Sequence, residues 1–79
     1  MKTLFVNVKC ELGKAYEVAL KIAELEGVSE VYSVSGTYDL LIKCYVSKES
    51  DAGRFVTEGI QRVGGVQDTS TTIAFNAFS

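Results

Sequence analysis

Residues 3–10 alternate between an apolar face and a face of Thr3, Phe5, Asn7 and Lys9, which is the pattern of a strand with one buried face. Two further extended segments fill residues 28–46, and the turn signal Ser35-Gly36 between them predicts a hairpin. A last extended segment, residues 66–78, predicts a fourth strand. In the first strand, the side chains expected to face the core are Leu4, Val6, Val8 and Cys10.

Two segments have helical periodicity instead. Between Gly13 and Glu26 the apolar residues recur at helical spacing, and Gly27 is expected to end this amphipathic helix. A second helix is expected to follow Ser47, whose hydroxyl can cap it, and to end at Gly64-Gly65. The order βαββαβ predicts a ferredoxin-like α+β fold, with a four-stranded antiparallel sheet and both helices on one face.

The sheet face without helices is expected to be apolar as well. An exposed apolar sheet usually marks an interface, and a chain of 79 residues buries little surface by itself. We therefore predict at least a homodimer in which two sheets pack together, a dimeric α+β barrel. The residues expected on this face are Phe5, Leu41, Ile73 and Phe75.

Charge and composition exclude several functions. Eight basic and ten acidic residues give a net charge of −2, and the basic residues are scattered, so direct nucleic-acid binding is not expected. No segment approaches the roughly 20 apolar residues of a membrane span, and no signal peptide is evident, so we expect a cytoplasmic protein. Without histidine, we expect no catalytic triad, metal site or cofactor. Cys10 and Cys44 should lie at opposite ends of paired strands and form no disulfide.

Polar residues are concentrated where the third and fourth strands begin, in residues 35–39 and 64–71. These two strands should be parallel to each other on either side of the first, so their starts share one end of the sheet. A carboxylate, hydroxyls and glycine amides there complement a zwitterion such as a free amino acid. In the alternative interpretation, Asp39 holds the Gly36 turn and the threonines are ordinary strand formers.

Three motifs also carry a family resemblance. Gly27-Val28 closes the first helix, Gly-x-Tyr-Asp precedes an apolar strand in "VSGTYDLLIKCYV", and "RFVTEGIQRVGGVQDTSTTIAF" combines Phe-Val, Gly-Val and Thr-x-Thr. Over nearly its whole length the chain resembles the RAM domain, the amino-acid-sensing module of Lrp/AsnC-type transcriptional regulators. Regulators of this type also carry a helix-turn-helix domain. Because the first strand begins by Thr3, residues 1–79 are interpreted as a single RAM-like domain without one.

The resemblance implies a non-enzymatic regulatory module. Its dimers associate further and bind an effector amino acid between them, and it acts alone or co-assembles with full-length Lrp/AsnC regulators. The residues that the resemblance assigns to ligand binding are Gly36, Thr37, Tyr38, Asp39, Gly65, Val66, Thr69, Ser70 and Thr71.

Two other functions stay open from the sequence. A small enzyme of the dimeric α+β barrel type, such as a monooxygenase or isomerase, would need a cavity between helices and sheet, lined by polar groups such as Tyr16, Tyr32 or Asn7. A pure assembly module would need no ligand, and the polar residues at the end of its sheet would serve only to stabilise the turns.

Overall fold

The computed structural model describes residues 1–79, and its elements follow the predicted order βαββαβ. The sheet has the strand order β2-β3-β1-β4 with every neighbouring pair antiparallel, which confirms the ferredoxin-like α+β fold. The elements are β1 (Lys2–Cys10), α1 (Ala15–Ala23), β2 (Val28–Ser33), β3 (Leu40–Val46), α2 (Ala52–Glu58), a short 3-10 helix (Ile60–Arg62) and β4 (Val66–Ala74).

The core lies between one face of the sheet and the two helices. All twelve buried residues are apolar or cysteine, and no polar side chain is buried among them. The prediction for the inner face of β1 is confirmed, since its four residues are at most 4% exposed. The buried residues are Leu4, Val6, Val8, Cys10, Val18, Ile22, Leu40, Ile42, Cys44, Val46, Val56 and Ile60.

The two cysteines are free, as predicted. Cys44 lies opposite Leu4 in the β1–β3 register, whereas Cys10 ends β1. Burial raises the pKa of the Cys44 thiol to about 11, and burial together with the nearby Asp39 carboxylate raises the pKa of the Cys10 thiol. Both thiols are therefore protonated at neutral pH and act as small apolar groups.

The start of α2 differs from the prediction. Ser47 does not cap the helix, because residues 47–50 form a turn in which the Ser47 and Ser50 hydroxyl oxygens lie 2.7 Å apart. Asp51 is the N-cap instead, and its Oδ1 accepts a hydrogen bond from the Arg54 N–H at 3.1 Å. The helix also ends before Gly64-Gly65, since Gly59 is its C-cap. Neither helix is long and apolar enough to cross a membrane.

We expect Asp51→Ala to lower the free energy of unfolding by about 1 kcal/mol, because the Arg54 N–H loses its acceptor at the helix start. Asp51→Asn is the control, since its side-chain oxygen can still accept this bond. Urea denaturation followed by circular dichroism measures both variants. Equal losses in the two would show that capping is not what Asp51 contributes.

The open face of the sheet also differs from the prediction at its β4 edge. Phe5 and Leu41 lie on this face as expected, but Ile73 pairs with Leu4 and so lies on the helix side. The cause is a β-bulge: the β1–β4 register shifts between Lys9 and Cys10, which moves each later residue of β4 to the other face. Phe75 lies beyond the end of β4 and is 90% exposed.

Polar and aromatic side chains occupy the rest of the open face. The Tyr32 hydroxyl donates to Glu30 Oε1, and this bond lowers the pKa of the Glu30 carboxyl. Lys43 Nζ lies 3.6 Å from Glu30 Oε2 and 5.4 Å from the centre of the Tyr45 ring. The face therefore has more polar character than the sequence alone predicts.

Candidate functional site

The first predicted site segment is the loop between β2 and β3. The Val34 N–H donates to the Asp39 carbonyl at 3.0 Å and closes the loop. Gly36 reverses the chain with φ +105°, a left-handed conformation that favours glycine. Thr37 is exposed, and Tyr38 and Asp39 are half-buried. The loop thus projects Thr37 outward and turns Asp39 back towards the sheet.

Asp39 extends the pairing of β1 with β3 by one step. Its N–H donates to the Val8 carbonyl at 2.9 Å, and its Oδ2 accepts from the Cys10 N–H at 2.8 Å. Because β3 begins only at Leu40, the carboxylate takes the place of a strand carbonyl in bonding Cys10. The side chain therefore bonds to β1 and not to the Gly36 turn, which corrects the alternative interpretation of its role. Its Oδ1 stays without a hydrogen-bond partner in the chain.

Lys9 completes the surroundings of Asp39. Lys9 Nζ lies 3.9 Å from Asp39 Oδ2, and the two side chains are 43% and 35% exposed. The sequence interpretation missed Lys9. The strand order contains the signal, because the end of β1 lies between the starts of β3 and β4.

The second predicted segment begins at Gly65. Gly65 has a φ of +101°, and its carbonyl accepts a hydrogen bond from the Glu11 N–H at 2.8 Å. These two features fix the backbone at the start of β4. Val66 then pairs with Cys10 ahead of the bulge. A Cβ on Gly65 would lie 2.7 Å from Val18 Cγ2, so the chain passes α1 too closely for any side chain at this position.

The hydroxyl groups of this segment lie on two faces. Thr69 and Thr71 pair with Val8 and Val6, which places them on the helix side, whereas Ser70 lies on the open face. The Thr69 Oγ1 accepts from Gln61 Nε2 at 2.7 Å. The predicted hydroxyl cluster is therefore divided by the sheet.

The two segments nevertheless share one end of the sheet, as their strand order predicts. Asp39 bonds to Val8 and Cys10 on one side of β1, and Gly65 bonds to Glu11 on the other. Two strand spacings separate them, which is roughly 10 Å.

The side chains that an enzymatic cavity would require lie on separate surfaces. Asn7 and Tyr32 lie on the open face, while Tyr16 is a 75% exposed residue of α1. Apolar side chains fill the space between helices and sheet. No three Cys, Asp or Glu side chains lie close enough together to hold a metal ion.

Residues 3–79 match the family model described as the Lrp/AsnC ligand binding domain. The chain belongs to this family. This confirms the resemblance that the Gly-x-Tyr-Asp and Thr-x-Thr motifs carry. The matched residues include nearly all of the ferredoxin-like fold described above.

Relatives of this Lrp/AsnC domain include both longer and equally short chains. The HTH-type transcriptional regulator PH1916 of Pyrococcus horikoshii is 41% identical over 59 residues, which are 75% of this chain and 39% of the regulator. The chain therefore spans well under half the length of that relative. The crystal structure of TTHA0845 from Thermus thermophilus is 37% identical with a TM-score of 0.91, and the match covers 100% of this chain and 99% of TTHA0845.

A more distant structural neighbour shares the fold of this Lrp/AsnC domain. It is the transcriptional regulator NMB0573 of Neisseria meningitidis, crystallised as a complex with L-methionine. The TM-score is 0.86 at 19% identity, and the match covers 99% of this chain and 52% of the regulator.

Proposed function

We propose that this Lrp/AsnC ligand-binding domain senses a free amino acid at the end of the sheet that residues 36–39 and the start of the segment 65–71 share. The observation that carries the proposal is a half-exposed carboxylate, Asp39, with an ammonium group 3.9 Å away and a glycine turn on each side. Opposite charges at this spacing complement the ammonium and carboxylate of a zwitterion. The L-methionine complex of a regulator with the same fold supports an amino acid as the effector.

In this proposal Asp39 has two tasks. Its Oδ2 bonds the Cys10 N–H and so fixes the carboxylate against β1. Its Oδ1 is available to accept a hydrogen bond from the effector's ammonium. Of the other predicted residues, Thr37 and Ser70 are exposed on either side of β1, and each adds a hydroxyl group.

The proposed sensor is an oligomer. The half-buried Phe5 and Leu41 and the exposed Tyr32 and Tyr45 give the open face an aromatic and apolar centre that a second copy would cover. Such dimers would associate further and hold the effector between them. Assembly with full-length regulators of the family is the corresponding proposal for the partner.

The test is a thermal-shift screen of the twenty amino acids, followed by calorimetry of each compound that stabilises the protein. We expect Asp39→Asn to weaken binding about 10- to 100-fold, the size of one charge-assisted hydrogen bond. The asparagine oxygen still accepts from the Cys10 N–H, so this variant should keep the fold. Asp39→Ala should lose binding and stability together, because the Cys10 N–H is left unpaired.

A pure assembly module is the second candidate, and the bond from Cys10 to Asp39 favours it, because this bond gives the carboxylate a structural role without any effector. Under this alternative no amino acid shifts the melting temperature. Asp39→Asn would then leave the oligomer unchanged, while Asp39→Ala alters its mass in analytical ultracentrifugation. Stabilisation by even one amino acid that Asp39→Asn abolishes would exclude it.

A further inference from the structure

Lys9 lies between the two segments of the candidate site, although neither segment contains it. It belongs to β1, which pairs with β3 on one side and with β4 on the other. It approaches Asp39 across the β3 side and is the direct register partner of Asp68 across the β4 side. Adjacent strands are about 4.8 Å apart, so one long side chain at this position can reach a small molecule touching either segment.

The ammonium group of Lys9 is not saturated by the protein. Its contact with Asp39 Oδ2 is 3.9 Å, which exceeds the length of a hydrogen bond, and no other acceptor of the chain bonds it. At 43% exposure the group keeps contact with solvent. A lysine ammonium carries three donors, so it is free to bind an additional anion without breaking an existing hydrogen bond.

The charges around Lys9 form a row across three strands. Asp39 and Asp68 are the anions on either side of it, and Asp68 takes part in none of the ion pairs of the chain. Asp68 Oδ1 accepts only from the adjacent Thr69 N–H, at 2.9 Å. The row thus has one cation and an excess of one carboxylate, so a molecule with both an anionic and a cationic group matches it better than a simple anion does.

We propose that Lys9 is the residue that recognises the α-carboxylate of the effector, while the flanking carboxylates of Asp39 and Asp68 favour its ammonium. This inference rests on the proposed function and deepens it. It assigns the anion-binding half of the site to a side chain of β1, whereas the glycine turns shape the space around it. It also defines the effector class as compounds with a free carboxylate, so amino-acid amides should bind weakly.

Calorimetry on Lys9→Met, using two probes, tests this assignment. The first probe is the amino acid with the largest thermal shift in the twenty-compound screen, and the second is its α-carboxamide, which keeps the ammonium but lacks the carboxylate. We expect Lys9→Met to weaken binding of the acid about 10- to 100-fold and to change binding of the amide less than about twofold. The wild-type preference for the acid should therefore disappear in the variant.

Lys43→Met is the matched control. Lys43 is also a half-buried lysine of the open face, with one carboxylate 3.6 Å from its Nζ, but it lies opposite Phe5 in the middle of the sheet, away from the loops. It should leave the ratio of acid to amide affinity unchanged. Equal weakening of acid and amide by Lys9→Met would overturn the proposal and make Lys9 a support for Asp39. Unchanged binding of both would overturn it too, while the absence of any amino-acid binding in the wild type would reject the proposed function itself.

Discussion

Ile42→Ala should lower the free energy of unfolding by about 2–5 kcal/mol, one of the largest effects that a single substitution can have here. Ile42 is fully buried and lies in the middle of β3, with Val6 opposite it on β1 and Val31 opposite it on β2. Removing three carbon atoms leaves a cavity that two flanking strands and the helices cannot close. A domain of 79 residues has a total stability of about 4–12 kcal/mol, so the loss is a large fraction of it.

Ile73→Ala is the control for this prediction. Ile73 has the same side chain and lies on the same face of the sheet, but it is 43% exposed at the edge strand. We expect a loss of at most about 1 kcal/mol, since less apolar surface is removed from the core. Urea denaturation of both variants, at one fixed protomer concentration, gives the comparison. Similar losses for Ile42 and Ile73 would mean that a partner surface covers β4.

The hydrophobic pattern of the sequence predicts which residues form the core, because buried side chains recur at the period of the strand or helix that contains them. The prediction that Leu4, Val6 and Val8 are buried requires only that they lie on a strand with one covered face. It does not depend on how that strand is paired. The strand order can also be predicted, from the order of the elements, because short connections and right-handed crossovers allow few arrangements of the strands.

The face on which Ile73 lies could not be predicted from the hydrophobic pattern. Its face depends on the exact register of β4 against β1, and one extra residue at the bulge beside Lys9 reverses it. A bulge leaves no clear mark in the alternation of "VQDTSTTIAF", where small polar residues are compatible with either face. Thr69 and Ser70 lie on opposite faces because consecutive strand residues alternate, so the sequence overestimates how many hydroxyl groups meet at the site.

The sequence predicts where the candidate site lies better than it predicts which residues contact one another there. Asp39 stands out in the sequence because a carboxylate at the start of a buried strand is unusual. Its bond to Cys10 is formed between residues 29 apart in the sequence, and no local pattern reports it. Lys9 is easily overlooked because a lysine on the polar side of an alternating strand resembles any solvent-exposed lysine until the neighbouring strands are placed.

Gly65→Ala should be strongly destabilising, by about 2–5 kcal/mol, for two reasons that a matched variant can separate. At φ +101° an alanine adopts a left-handed conformation that costs about 1–2 kcal/mol. Its Cβ would in addition lie 2.7 Å from Val18 Cγ2, which cannot move away easily because Val18 is fully buried and β-branched residues in helices keep one rotamer. Overpacking of this kind adds about 1–3 kcal/mol.

Gly36→Ala isolates the first of these costs. Gly36 has nearly the same φ, +105°, but nothing lies within 4 Å of a Cβ at that position. We therefore expect it to lose only the backbone contribution, about 1–2 kcal/mol. Urea denaturation of the two variants at equal protomer concentration gives the difference, which measures how tightly the start of β4 is held against α1. If both variants lose the same amount, α1 yields to the added methyl group, and the second half of the candidate site is then adaptable rather than fixed by packing.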